Sequence, residues 1–76
     1  MMSLETVKWY ENFNINDEDF EDVEITCCLE GSYNEGYNVD KIWVTGVDSE
    51  IEDVILDYLW NNEDETLSKA LNALWN

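Results

Sequence analysis

Two different periods of hydrophobic residues divide the chain. Apolar and polar side chains alternate over 22–30 and again over 39–47, with two Gly and two Asn between these segments. A period of two predicts strands with one buried face, and a Gly- and Asn-rich stretch predicts a turn. Residues 22–46 are therefore predicted to form an antiparallel hairpin. The side chains of its second strand that are predicted to face away from the core are Lys41, Trp43 and Thr45.

The C-terminal third carries the clearest pattern, which predicts two amphipathic helices over 49–60 and 63–75. In the first helix, apolar residues recur at i, i+3, i+4, i+7 and i+8, the spacing of a single helix face. The residues of this predicted core face are Ile51, Val54, Ile55, Tyr58 and Leu59. A capping-box pattern, with an acid three residues on, begins each helix, at Ser49 and at Asn62.

The N-terminal segment has a weaker pattern, in which β-branched and aromatic residues favour another strand despite three interspersed Asn. An acidic connection over 16–21 is predicted to follow it. The order β-β-β-α-α predicts an α+β fold, a small antiparallel sheet of about three strands with two α-helices packed on one face. A length of 76 residues predicts a single domain, 1–76, with a core near the lower limit for independent folding.

The charge of the chain is its most unusual property. It contains nineteen Asp and Glu residues but only three Lys and no Arg or His, which gives a net charge of −16. A small domain ordinarily carries a net charge of about 2 to 8 in magnitude. Residues 1–38 hold ten acids and one Lys, and 39–76 hold nine acids and two Lys, so the whole fold is coated. Such a surface cannot neutralise phosphates, which excludes direct binding to nucleic acid or an anionic membrane.

The sequence lacks the residues that several classes of enzyme and cofactor-binding protein require. Without His there is no Ser-His-Asp or Cys-His pair, and the glycines do not match a nucleotide-binding loop, so we expect no enzyme and no cofactor. The run 17–22 does not continue into a calcium loop, because Asp22 and Cys28 occupy its Gly and Glu positions, and no metal site is expected. Cys27 and Cys28 are interpreted as reduced thiols on opposite strand faces. No membrane-length apolar run or signal peptide is evident, so we expect a cytoplasmic protein.

The spacing of the acids is informative. In the first helix Glu50, Asp53 and Asp57 form a stripe with neighbours about 5–6 Å apart, which Asp64 extends. The strand and its connection supply a second set at about 6–7 Å per two residues. Folded together, an array of carboxylates at about 5–7 Å is expected to give a linear charge comparable to that of a DNA strand, with one charge per about 3.4 Å. The members of this second set are Asp17, Glu18, Asp19, Glu21, Asp22 and Glu24, with Glu30 further along the same strand. These acids are candidates for binding a basic groove, although an acidic helix face is also the ordinary solvated surface of a helix.

Aromatic and apolar residues are the candidate anchors for such a partner, because Trp and Tyr are typical interface residues. Leu56 and Trp60 lie about 140° and 180° from Ile51 around the first helix, on the side away from the predicted core. The full set of anchors is Tyr33, Tyr37, Trp43, Leu56 and Trp60. Coverage by other elements, or a homodimer through Leu56 and Trp60, would also account for some of them.

An acid-coated fold with exposed aromatics resembles, as a class, the small acidic DNA-mimic inhibitors of phages and mobile elements. These include uracil-DNA glycosylase inhibitors, anti-restriction proteins and some anti-CRISPR proteins. The segment 42–48, leading into two short acidic helices, also looks like small phage proteins with a strand–helix–helix ending. The resemblance implies a non-enzymatic inhibitor of a host nucleic-acid enzyme, acting in the host cytoplasm. An antitoxin or immunity protein bound to a basic toxin is the alternative, and a small metal-binding protein or enzyme is a third interpretation.

Overall fold

The computed structural model describes residues 3–75. It has three antiparallel strands in one sheet followed by two helices, the predicted β-β-β-α-α arrangement. The strands are β1 (Ser3–Ile15), β2 (Glu18–Ser32) and β3 (Gly36–Thr45), and the helices are α1 (Ser49–Asn61) and α2 (Glu63–Trp75). The predicted helices 49–60 and 63–75 match these bounds to within one residue. A helical rise of about 1.5 Å per residue makes each helix about 20 Å long.

The central strand β2 pairs with β1 on one side and β3 on the other, so the sheet order is β1-β2-β3. Alternate residues of β2 point toward the helices and form the centre of the core, as the period of two predicted. The side chains from β2 in this core are Val23, Ile25, Cys27 and Leu29. We call this helix-facing side the covered face and the opposite side the open face.

A two-residue turn joins β1 to β2, where the sequence pattern predicted a longer acidic connection over 16–21. That prediction was wrong, because β2 already begins at Glu18. Asn16 and Asp17 both have left-handed backbone angles, with φ of 53° and 65°. Positive φ at both central residues is the geometry of the tight hairpin turn that fits strand twist, and Asn and Asp tolerate it.

The β1–β2 hairpin extends beyond the rest of the sheet, because β3 pairs with β2 only from Glu24 onward. A bulge lies at the base of this extension, where Asn12 of β1 stands opposite two residues of β2. Asp22 takes a φ of 54° there, and its backbone N–H donates to the Asn12 side chain at 2.9 Å. The projecting hairpin makes the molecule elongated, with extents of 43 × 22 × 17 Å.

The turn between β2 and β3 is shorter than the predicted 31–38, because β2 continues to Ser32 and β3 begins at Gly36. Gly31 is required at the entry to this turn. Its φ is +145°, and a Cβ atom at this position would collide with the Gly36 carbonyl oxygen. The sheet can close here because this position has no side chain.

Neither predicted capping box forms within the described residues. The N-cap of α1 is Asp48, which makes no side-chain capping bond, rather than Ser49. Asn62 belongs to the end of α1, where its side-chain amide donates to the Tyr58 carbonyl at 2.8 Å. Buried Thr66 of α2 donates to the Leu59 carbonyl at 2.9 Å and to the Asn62 carbonyl at 3.1 Å. These bonds satisfy carbonyls that a helix end leaves free and hold the two helices together.

The face that α1 turns toward the sheet differs from the predicted one. Ile55 and Leu59 are buried as expected, but Val54 is 48% exposed and Tyr58 is 45% exposed. Leu56, predicted to point away from the core, is half-buried and packs against it. At about 100° per residue, the helix is rotated by about 60° from the predicted orientation. Packing against a twisted sheet and a second helix set this rotation, which hydrophobic spacing alone left open.

The adjacent cysteines lie on opposite sides of β2, as predicted, and both are free thiols. Cys27 is fully buried on the covered face. Its pKa is raised to about 11, mainly by this burial and to a smaller extent by the charge of the neighbouring Cys28. Cys28 lies on the open face between Thr6 and Lys41 of the flanking strands. It is only 8% exposed although neither helix covers that face.

Candidate partner-binding surface

The acidic stripe of α1 is exposed to solvent. Glu50, Asp53 and Asp57 are separated by three and four residues on a helix that contains no Lys or Arg. Asp57 accepts a hydrogen bond from the Asn61 side-chain amide at 3.3 Å. Within the described residues, none of the three carboxylates forms an ion pair. The stripe is therefore a run of uncompensated negative charge on one side of the helix.

A second acidic group lies at the tip of the β1–β2 hairpin. All of its predicted members are exposed, and they are Asp17, Glu18, Asp19, Glu21 and Asp22. The tight turn fixes the tip, and the Asn14 amide donates to the Asp19 carboxylate across the strands at 2.7 Å. We call these five residues the acidic tip. It is held by a paired hairpin rather than by a loose connection.

Asp64 lies in the first turn of α2, beside Glu63 and Glu65. All three are exposed at the positive end of the helix dipole, where carboxylates are favoured. Of this group, Glu65 is paired with Lys69 at 3.3 Å. Asp64 thus adds to the negative charge of the helical layer beyond the helix junction.

Glu24 differs from these acids because its charge is compensated. It lies on the open face, where its carboxylate pairs with Lys8 at 3.5 Å and accepts a hydrogen bond from the Tyr10 hydroxyl at 3.3 Å. Trp43 lies on the same face and is 48% exposed. A bulge between Phe20 and Val23 interrupts the alternation of β2 on the tip side of Glu24.

The other predicted anchors are divided between two places. Tyr33 is exposed in the β2–β3 turn, and Tyr37 is half-buried in β3. Both make edge contacts with Trp75 of α2, with ring centroids 6.2 and 6.3 Å apart. This cluster lies at the opposite end of β2 from the acidic tip. Trp60 is exposed on α1, but its expected partner Leu56 is packed against the core, so the predicted outward pair does not form.

A groove that the sequence did not suggest lies between the end of β1 and helix α1. Its volume is about 540 Å³. Its apolar lining comes from Phe13 and Ile15 of β1 and from Val54 and Tyr58 of α1. The rings of Phe13 and Tyr58 meet edge to face at 6.3 Å. The helical spacing had placed Val54 and Tyr58 in the core, and the only sequence signal for a groove was the surplus of apolar residues in the N-terminal segment.

A polar cluster closes one side of this groove. The Glu11 carboxylate accepts a hydrogen bond from the Trp9 indole N–H at 2.7 Å and is paired with Lys69 at 2.9 Å. Burial lowers the pKa of Lys69, but the bonds and charges of Glu11 and Glu65 outweigh it and raise that pKa above its ordinary value. Lys69 therefore stays charged, and its charge is compensated by two carboxylates.

The structure thus defines a small α+β protein in which a helical hairpin covers one side of a three-stranded antiparallel sheet. Comparison of the chain with protein-family models, with curated proteins and with solved structures gives no match. Within residues 3–75, neither helix has the length and apolar character needed to cross a membrane. Among the same residues, no group of His, Cys, Asp and Glu is arranged to hold a metal ion.

Proposed function

We propose that this chain is a non-enzymatic acidic inhibitor that mimics DNA. It occupies the basic nucleic-acid-binding groove of a host defence or DNA-processing enzyme, such as a CRISPR effector, a restriction enzyme, a nuclease or a repair enzyme. The site of action that fits such a target is the host cytoplasm. The partner is a basic protein, and neither nucleic acid nor membrane is bound directly.

One observation carries the proposal: the distribution of cations leaves two acidic arrays uncompensated. Within residues 3–75, no lysine pairs with the stripe on α1 or with the acidic tip, because Lys8 pairs with Glu24 and Lys69 with Glu11 and Glu65. Like charges held this way cost stability through mutual repulsion. A basic groove would relieve that repulsion on binding and would be attracted from a distance.

Capture from a bacterial lysate, followed by mass spectrometry, tests the proposal. The wild-type chain is expected to retain nucleic-acid-binding proteins at moderate salt, and duplex DNA is expected to displace them. The variant Glu50→Gln/Asp53→Asn/Asp57→Asn should lose that retention while its fold is unchanged or stabilised. A captured enzyme should then be inhibited by the wild-type chain in its own assay.

A matched control distinguishes binding through the acidic stripe of α1 from binding that depends only on the net charge of the protein. The variant Glu24→Gln/Glu30→Gln/Glu35→Gln also removes three carboxylates, from the open face and the β2–β3 turn, and should keep the binding. Equal losses in both variants would mean that only net charge matters. Recovery of no nucleic-acid-binding protein would contradict the proposal. Recovery of a basic toxin that duplex DNA does not displace would favour the antitoxin or immunity alternative.

A further inference from the structure

The apolar groove beside α1 is bordered by carboxylates. On the helix, Val54 lies four residues after Glu50 and three before Asp57, so both acids flank it on the surface. On the hairpin, Glu18 pairs directly with Ile15 and therefore shares its face of the strands. The groove thus combines an apolar lining with negative charge on its helix side and on its hairpin side.

The lining is accessible although it is apolar. Val54 and Tyr58 remain about half exposed, and the groove volume of about 540 Å³ is sufficient for several side chains. The one cation in the lining, Lys69, is already paired with Glu11 at 2.9 Å and Glu65 at 3.3 Å. It consequently adds little repulsion toward a positively charged occupant.

We infer that this groove binds a cationic amphipathic segment of the partner protein, whose apolar side chains enter the groove while its Lys or Arg residues contact the acidic borders. The inference rests on the proposed function and names the recognition element within it. The negative charge at the borders of the groove selects between the possible occupants. A second copy of a chain with net charge −16 would bring acids against acids, whereas a basic segment satisfies both the apolar lining and its borders.

A defined pair of synthetic peptides tests the inference. Both are 15 residues long with the same number of lysines; one carries leucines at amphipathic helical spacing, and the other carries serines at those positions. At moderate salt the leucine peptide should bind about ten-fold tighter or more, the effect of burying a large apolar side chain. In NMR spectra of the protein, the leucine peptide should shift the amide signals of Val54 and Tyr58. The serine peptide should shift mainly the amide signals of the acidic stripe.

Variants of α1 supply the matched control. Tyr58→Ser should bring the affinity ratio of the two peptides toward one. Trp60→Ser, at a residue that is 40% exposed on the same helix but outside the groove lining, should preserve the ratio. Val54→Ser replaces Tyr58→Ser if the amide spectrum shows that the latter does not fold.

The outcomes separate the two proposals. Equal affinities for the two peptides, or an equal effect of Tyr58→Ser and Trp60→Ser, would overturn the groove inference and leave the charge-based function standing. Failure of both peptides to bind at low salt would contradict the recognition of basic proteins itself, and with it the groove inference.

Discussion

On the covered face of the sheet, β2 presents an unbroken apolar row to the helices, whereas the open face carries a mixed surface in which opposite charges balance. Where all three strands pair, the strand register places four charged residues on the open face, and they are Lys8, Lys41, Glu24 and Glu30. Two of the three lysines of the chain are thus on one side of the sheet. The helices and the projecting acidic tip hold most of the negative charge.

This difference shows that the acidity is not a uniform coat. The five residues of the acidic tip and seven acids of the helices make up twelve of the nineteen carboxylates, with Lys69 as their only cation in the described residues. An average over the sequence conceals this, because each half of the chain has a similar net charge. Partner binding is therefore assigned to the tip and helices, and little role is expected for the open face where all three strands pair.

The largest expected difference between the two faces is in packing. Leu29 is fully buried on the covered face, and Leu4 is 64% exposed on the open face. Leu29→Ala should lower the free energy of unfolding by about 2–5 kcal/mol, because it leaves a cavity in the core. Leu4→Ala should change it by about 0.5 kcal/mol or less.

Urea denaturation of both variants, at two protein concentrations, measures this contrast. A large loss for Leu4→Ala that depends on protein concentration would show that a second copy covers the open face. That outcome would contradict the description of this face as solvent-exposed.

An intermediate effect is expected from the buried thiol when the pH is raised. The pKa of Cys27 is about 11 against an ordinary 9.0, so between these values the unfolded chain binds fewer protons than the folded one. Stability should therefore be unaffected by this group below pH 9 and should fall above it, by on the order of 1 kcal/mol per pH unit. Cys27→Ala should flatten the slope, and urea midpoints from pH 8 to 10.5 measure it.

Tyrosines and lysines also titrate in that range, so the slope of Cys27→Ala is compared with that of Cys28→Ala. Cys28 lies on the open face, and its replacement should leave the slope of the wild-type chain almost unchanged. The same slope in all three proteins would assign the pH dependence to the other groups.

The smallest effects on stability are expected from removing single charges. These effects should have opposite signs on the open face and on α1. Glu24→Gln removes the pair with Lys8 on the open face and should destabilise the fold by about 0.2–1 kcal/mol. Asp53→Asn relieves repulsion on α1 and should raise the melting temperature. Added salt should raise the melting temperature of the wild-type chain, because screening weakens that repulsion.

Thermal unfolding at low and high ionic strength checks both signs. The gain from Asp53→Asn should shrink as salt is added. Stabilisation by Glu24→Gln at low salt would mean that repulsion extends to the open face, and the contrast between the two regions would then fail.

The α+β fold was predictable because its signals are local. Alternation placed Ile42 and Val44 on one side of β3 and Trp43 on the other, and the structure confirms both. The helix bounds followed from apolar spacing over 49–60 and 63–75. The tight turn at Asn16 was not predicted, because the acids over 17–22 lack the apolar pattern of a strand. The start of β2 at Glu18 depends on pairing with β1. Side-chain alternation also fails between Phe20 and Val23, at a bulge where the Asp22 backbone N–H donates to the Asn12 side chain of β1.

The candidate surface was predictable in composition but not in arrangement. The stripe of Glu50, Asp53 and Asp57 was correctly placed on an exposed side of α1, because helical spacing alone determines which residues share a side. Glu24 shares a strand face with Glu30, as predicted, but its pair with Lys8 exists only once β1 and β2 align. The groove at Val54 and Tyr58 depends on the rotation of α1, which sequence periodicity does not specify.

By itself, the sequence determined the order and bounds of the helices, the presence of a sheet, the excess of negative charge and the local stripe on α1. These properties depend on neighbours within a few positions, which hydrogen bonding and side-chain period control. Only the tertiary structure decided which face of the sheet is open, where the lysines lie, and that a groove separates the acidic tip from α1. Those features depend on strand register and helix rotation, which are set by packing between distant segments.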